Sequence, residues 1–357
     1  GYLVHPLGRR LVWLIALAAV LGGCISDPDI APPVRMPALV GLDTADPDDD
    51  AVISTDGTAL AMTVWQAASI GTAPNAILIA VHGMNDYAHA FAGAGAAWSA
   101  AGLTVYAYDQ RSFGRNHRAG SPWPGTAQLV LDLQAMVTAV RAHHPGVPVF
   151  VLGHSMGGAL AMAANRTDRS TAAMPLADGV ILAAPAIWGG ARMPLAYRMT
   201  LSIAATFAPG KTLTGARAAR QSTDNIPILR GMQADPFVVK ETPLRTIAGL
   251  VRLMGRANQS AHHQQGEVLF LMGCRDELVP VNDLADVART ISDTLPTQTT
   301  MIAYPAGWHL LFRDLQAHRV WTDVADWVLA RTQNSKPRVI AIHDTNDEQT
   351  GACAQHR

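Results

Sequence analysis

The chain has 357 residues, 49 % of them hydrophobic and only 15 % charged, with 30 Gly and 22 Pro. That is ample material for one enzyme-sized body and excludes a chain disordered throughout. Lys plus Arg (27) nearly balances Asp plus Glu (28), a formal net charge of −1, so the basic excess that phosphate backbones select for is absent and no nucleic-acid partner is expected. Three cysteines, Cys24, Cys274 and Cys353, neither build a disulfide framework nor match zinc-ligand spacing.

Residues 1–23 read as an export signal: Arg9-Arg10, the apolar run Leu11 to Val20, then Leu21-Gly22-Gly23 before Cys24. The run is about half the ~20 residues a membrane-crossing helix needs. Leu-Gly-Gly-Cys resembles the lipobox of bacterial lipoproteins. That resemblance implies lipidation at Cys24, attachment to a membrane, and an address in the bacterial cell envelope. Residues 24–50, with Pro28, Pro32, Pro33, Pro37, Pro47 and the acids Asp46 and Asp48 to Asp50, read as an extended tether. The last stretch, 333–357, reads as a loosely held polar tail.

Between these ends, short β-branched or aliphatic runs alternate with Ala-rich stretches, the pattern of an α/β fold. Ala51 to Ser54 and Leu60 to Trp65 read as a hairpin across Asp56-Gly57. Ala76 to Val81, Thr104 to Tyr108, Val147 to Leu152, Val180 to Ala183, Val268 to Met272 and Thr300 to Ala303 read as core strands. Their unbroken apolar character suits a mostly parallel sheet covered by helices on both faces. Residues 51–332 form this domain. It is interrupted at about 186–265 by a segment without strand patterns, read as an inserted helical cap. There Leu195, Met199, Ile203 and Phe207 recur every four residues, as do Ile247 and Val251 beside Leu250 and Met254. Such stripes are expected to pack mostly against the body, with a few side chains facing a cleft.

Val149 to Gly158 joins a buried strand through Gly153-His154-Ser155-Met156-Gly157 to an Ala-rich helix. The sharp turn would hold Ser155 in a strained conformation, with Gly153 and Gly157 supplying steric room. A serine hydroxyl needs a general base, and the base an orienting acid. In this fold class both follow the serine along the chain. Asp276 stands after the strand ending at Met272, with Glu277 and Asp283 as alternatives, and His309 stands after the strand ending near Tyr304. Oxyanion amides are expected from Met156 and from Met84 in the His82-Gly83-Met84 turn. His82 is read as shaping its loop, and Asp109 as a loop brace with a weaker claim to be the acid. The pairs His143-His144 and His262-His263 lack further ligands at metal spacing, so no metal or cofactor is called for. The sequence leaves open whether Cys274 and Cys353 pair.

These stretches resemble the monoacylglycerol lipase and lysophospholipase branch of the serine α/β-hydrolases, a group also filed with the S33 serine aminopeptidases, over roughly residues 52–330. The matching segments are His82-Gly-Met84, Tyr108-Asp-Gln-Arg-Ser-Phe-Gly114, Gly153 to Gly158, Asp235-Pro-Phe-Val-Val-Lys-Glu-Thr242, Arg275-Asp-Glu-Leu-Val-Pro280 and Gly307-Trp-His309. The resemblance implies an α/β-hydrolase fold, a triad of Ser155, Asp276 and His309, and a cap gating an acyl-chain pocket. Two departures stand out: Ser112 where the family usually has Gly, and Asn85-Asp86 after the oxyanion turn. The expected activity is cleavage of small carboxylic esters, glycerolipid-like or medium-chain, through an acyl-enzyme. The alternatives are a peptidase removing N-terminal residues, with Asp224, Asp235 and Glu241 as sources of an amine-binding carboxylate pair, and a non-catalytic ligand-binding lipoprotein. Oligomeric state is not readable.

Overall fold

The computed structural model describes residues 34–42, 44, 46–68, 73–167, 176–214, 220–332 and 353. Cys24 and residues 1–23, read above as an export signal, lie outside these residues. Contacts divide the chain after Arg35, and the larger unit, Met36–Arg357, is the body described below.

Its centre is a nine-stranded sheet in the order β1-β2-β3-β5-β4-β6-β7-β10-β11. The strands are β1 (Ala38–Val40), β2 (Ala51–Ile53), β3 (Ala59–Trp65), β4 (Ala76–Val81), β5 (Leu103–Tyr108), β6 (Val149–His154), β7 (Gly179–Ala183), β10 (Glu267–Gly273) and β11 (Thr299–Tyr304). From β5 to β11 every pairing is parallel, while β1, β2 and β3 add antiparallel strands at one edge. Alternate residues of β4 face opposite sides, as the two-residue period of a strand requires. Ile77, Ile79 and Val81 share a cluster with Leu133 and Met136 of α2 (Thr126–His143) and Leu160 of α3 (Met156–Ala164). Ala76, Leu78 and Ala80 join Trp98 of α1 (Ala92–Ala100) and Val324 and Val328 of α8 (Ala317–Thr332). Each fully buried aliphatic side chain there contributes about 1.5–3 kcal/mol, and with both faces covered the strands need no polar alternation.

The cap interval holds α4 (Leu195–Phe207), α5 (Ile226–Ala234) and α6 (Leu244–Ser260), followed in the main body by α7 (Val281–Thr294). Pro194, Pro243 and Pro280 stand immediately before α4, α6 and α7, and Pro227 lies in the first turn of α5. Proline suits these positions because its missing N–H would have no helical partner there.

Four expectations change. The tether reading fails for its second half: Ala38–Val40 pairs with Ala51–Ile53 as β1, and Asp46 caps a short 3-10 turn at Pro47–Asp49. A three-residue edge strand is too short to show periodicity, and only its pairing with β2 creates it. The cap is not purely helical, because β8 (Thr212–Thr214) and β9 (Glu241–Pro243) form an antiparallel pair. The stripe on α4 does not pack on the body: Leu195, Met199, Ile203 and Phe207 are 63 %, 56 %, 57 % and 85 % exposed. The matching stripe on α6 does pack, with Met254 buried and Leu250 and Val251 against the core. Lastly, Cys353, within the stretch read as a loosely held tail, forms a disulfide with Cys274 of the body.

Ser112 has φ 69, in the left-handed region that favours glycine. Its hydroxyl donates to Pro122 O at 2.8 Å. Ser112→Gly is expected to stabilise the fold by up to about 1 kcal/mol, because the steric cost of a left-handed L-residue outweighs one exposed hydrogen bond. Thermal unfolding checks this, and a lowered midpoint would contradict it.

Candidate active site

β6 ends at His154 and α3 begins at Met156, so Ser155 occupies the whole turn between them. Its φ of 53° and ψ of −114° lie outside the ordinary regions for an L-residue, at a cost of about 1–3 kcal/mol. Surrounding hydrogen bonds hold that strain in place. The Ser155 N–H donates to Ala183 O at 3.0 Å, and its carbonyl accepts from Ala159 and Ala186. Two glycines are obligatory: a Cβ on Gly153 would lie 2.2 Å from Gly157 O, and one on Gly157 would lie 2.1 Å from Val81 O.

The predicted residues converge. The Ser155 hydroxyl donates to His309 Nε2 at 2.9 Å, and His309 Nδ1–H donates to Asp276 Oδ2 at 2.7 Å. The other Asp276 oxygen accepts from the amides of Leu278 (2.8 Å) and Val279 (2.9 Å). Burial pushes the Asp276 carboxyl up, but His309 and those two amides together outweigh it and hold it below its usual range. It is therefore an ionised acceptor that selects the imidazole tautomer with its lone pair toward Ser155.

Residues considered as alternatives are engaged elsewhere. Glu277 accepts from the Gln221 amide at 2.7 Å, and Asp283 pairs with Arg192 at 2.7 Å. Asp109 is a brace, accepting from Ala88 N, Arg115 N and Arg115 Nε. His82 is fully buried; its Nδ1–H donates to Gly83 O at 2.7 Å and its Nε2 accepts from Gln110 N at 2.9 Å. Burial holds this imidazole below its ordinary pKa, so it shapes the loop as a neutral ring.

That loop runs against the elbow. A Cβ on Gly83 would lie 3.3 Å from Ser155 Cβ, which brings the Met84 segment beside the nucleophile. Met156 opens α3, where the first amides of a helix have no internal acceptor. Asn85 has φ 67, a conformation asparagine tolerates, and Asp86 ion-pairs with Arg313 in the loop after His309. Asp86 therefore joins the oxyanion turn to the histidine loop, while Asn85 Nδ2 donates to Thr242 Oγ1 of the cap at 2.7 Å.

Sequence reasoning missed three contacts that position His309. His154 Nε2–H donates to the His309 carbonyl at 2.8 Å, with the two rings 5.2 Å apart. Burial, reinforced by His309, holds the His154 ring down at about 3, so it remains a neutral donor. The cap segment 221–225 is laced to the same loop: Leu310 N donates to Ser222 O at 2.9 Å and Leu315 N to Asp224 Oδ1 at 2.9 Å. The only sequence signal was a histidine beside the nucleophile, and its partner lies 155 residues away.

A mainly parallel sheet with a serine at its strand-to-helix elbow, followed by an acid and a histidine in later loops, defines the α/β-hydrolase class. The family described as serine aminopeptidase, S33, matches residues 72–316, more than half of the chain, which belongs to that family. A monoacylglycerol lipase of Mycolicibacterium smegmatis is 26 % identical over 277 residues, covering 77 % of this chain and 94 % of the relative. The monoglyceride lipase of Homo sapiens is 24 % identical over 290 residues, covering 79 % and 90 %. The structure of a soluble variant of monoglyceride lipase from Saccharomyces cerevisiae, in complex with a substrate analog, superimposes with a TM-score of 0.65. It is 16 % identical and covers 78 % of this chain and 94 % of that one.

Proposed function

We propose that the protein is a serine ester hydrolase acting on monoacylglycerol-type esters, with Ser155 as nucleophile, His309 as general base and acid, and Asp276 as orienting acid. The observation that carries this is the continuous hydrogen-bonded series from the Ser155 hydroxyl through His309 to the Asp276 carboxylate. His309 Nε2 takes the hydroxyl proton as Ser155 Oγ attacks the ester carbonyl, and the amides of Met156 and Met84 receive the developing oxyanion. Collapse breaks the bond to the alcohol oxygen, which leaves with the proton from His309. A water deprotonated by His309 then attacks the acyl-enzyme, the acid departs, and the proton returns to Ser155.

The peptidase reading needs a carboxylate pair drawn from Asp224, Asp235 and Glu241. Asp224 caps the Leu315 amide, Asp235 accepts from the Tyr87 hydroxyl and the Phe237 amide, and Glu241 bonds Thr212 at the surface. Each of the three is thus engaged with different partners. Assaying acylglycerols and p-nitrophenyl esters of graded chain length beside aminoacyl-nitroanilides tests the choice. Ester cleavage without anilide cleavage is expected, and the reverse order overturns the proposal. A fluorophosphonate that leaves Ser155 unlabelled in folded protein would instead favour a binding module.

The exposed stripe on α4 supports a lipidic substrate, since its apolar residues accompany a single charge, Arg198. Burying such side chains in an interface is worth about 1.5–3 kcal/mol each. The double variant Ile203→Ser, Phe207→Ser is expected to reduce turnover of emulsified ester about tenfold or more while sparing a water-soluble short-chain ester. Equal losses on both would refute a role at the lipid surface.

We also assign Cys24 as a lipid anchor in an exported, envelope-bound protein. The Cys274 to Cys353 disulfide supports export, because such bonds persist in oxidising compartments. Palmitate labelling of the expressed chain is expected to disappear in Cys24→Ser, with release from the membrane fraction. Retained label contradicts the assignment.

A further inference from the structure

A cavity of about 420 Å³ opens between the segment after the oxyanion turn, helix α5 and the start of α8. It lies beside the loops that carry the proposed reaction centre: Asp86 is two residues past Met84, and Phe312 is three past His309 with its ring 5.9 Å from that of His154. Aromatic side chains of Tyr87, Phe312 and Trp321 line it, together with three carboxylates, Asp86, Asp235 and Asp314, against one guanidinium, Arg313.

The guanidinium is already committed to Asp86. Neither Asp235 nor Asp314 forms an ion pair with any described residue. The ammonium of Lys240 donates to the carbonyls of Asp235 and Val238 instead. Asp314 is only 3 % exposed; one oxygen accepts from the Trp308 amide at 2.7 Å, and Oδ1 accepts from no described residue. Burial first, then the charge of Asp224 nearby, lifts this carboxyl to about 6 despite the Trp308 amide. A buried carboxylate without a countercharge is costly, and a cation beside it removes the cost. Aromatic faces attract a cation as well, most strongly one whose charge is weakly hydrated. An anionic headgroup would meet net negative charge here and be repelled.

We propose that this cavity binds an alkylammonium group carried on the alcohol of the ester substrate, held by Asp314 and Asp235 beside the rings of Tyr87 and Trp321. The assignment rests on the ester-hydrolase reading, and it makes the preferred substrates esters of amino alcohols. The loop after His309 contributes Phe312, Arg313, Asp314 and Leu315 to the cavity wall, and His309 protonates the departing oxygen.

The test compares lauroylcholine with its uncharged isostere, in which carbon replaces the ammonium nitrogen, alongside monolauroylglycerol. The charged ester is expected to show a kcat/KM about tenfold or more above the isostere, and Asp314→Asn to collapse that ratio to within about threefold. The Asn variant can keep the Trp308 hydrogen bond, and Asp235→Asn provides a second variant should it fail to fold. A ratio near one in the parent protein, or one unmoved by both variants, overturns the proposal. Binding of benzyltrimethylammonium to the full chain, followed by tryptophan fluorescence beside its uncharged isostere, gives a readout independent of turnover. Equal or undetectable binding of the two counts against the site. Cleavage of monolauroylglycerol without charge preference sinks this inference alone, whereas cation binding without cleavage of any ester sinks the hydrolase reading.

Discussion

Ser155→Ala is expected to lower kcat for ester hydrolysis by about 10⁶-fold, because it deletes the atom that forms the acyl bond and leaves His309 and Asp276 with nothing to activate. The remaining rate would come from the oxyanion amides and from substrate binding alone. Folding should survive. The glycines that make the elbow possible are untouched, and the backbone bonds of residue 155 to Ala183, Ala159 and Ala186 do not involve its side chain. The measurements are steady-state hydrolysis, thermal unfolding and fluorophosphonate labelling on the same preparation. Residual turnover above about one part in 10³ in a folded, unlabelled variant would show that another nucleophile does the chemistry.

Asp276→Asn is expected to cost about 10⁴-fold in kcat near neutral pH, with KM little changed. The direction follows from the two amides behind the acid. Leu278 N and Val279 N donate to Oδ1 at 2.8 and 2.9 Å, so an asparagine there keeps its carbonyl oxygen toward them and turns its NH₂ toward His309. A donor facing Nδ1 forces that nitrogen to accept, which moves the ring proton to Nε2 and removes the lone pair that receives the Ser155 proton. Glu277 cannot substitute, since its carboxylate reaches Gln221 rather than the imidazole. Glu277→Gln should accordingly stay within about twofold of the parent rate. A large loss in Glu277→Gln with a mild one in Asp276→Asn would reverse the assignment of the acid.

Much of the fold was legible because its signals are local. Strands such as Ala76–Val81 and Val149–His154 are unbroken apolar runs, and burial on both faces of a parallel sheet demands that composition. The elbow was equally clear, since Gly153 and Gly157 sit where any side chain would strike backbone. The order of serine, acid and histidine along the chain then narrowed the partners to a few candidates. β1, β8 and β9 were not legible: three residues each cannot display a period, and they exist only through pairing with a neighbour.

The sequence by itself determined which residue types were available for the chemistry and where each falls relative to a strand end, because backbone preference and average burial are written in neighbouring residues. Tertiary structure decided which of them meet. Ser155 and His309 are 154 positions apart, and their contact depends on β7 pairing with β10 across the whole cap insertion. The same dependence explains why identical four-residue spacings end differently, α6 packed on the core and α4 facing solvent. It also explains why Cys274 finds Cys353, and why Asp314 is left buried beside a cavity without a countercharge. Periodicity states that a face is apolar or a group is charged; only the packing of distant elements fixes what that face or group touches.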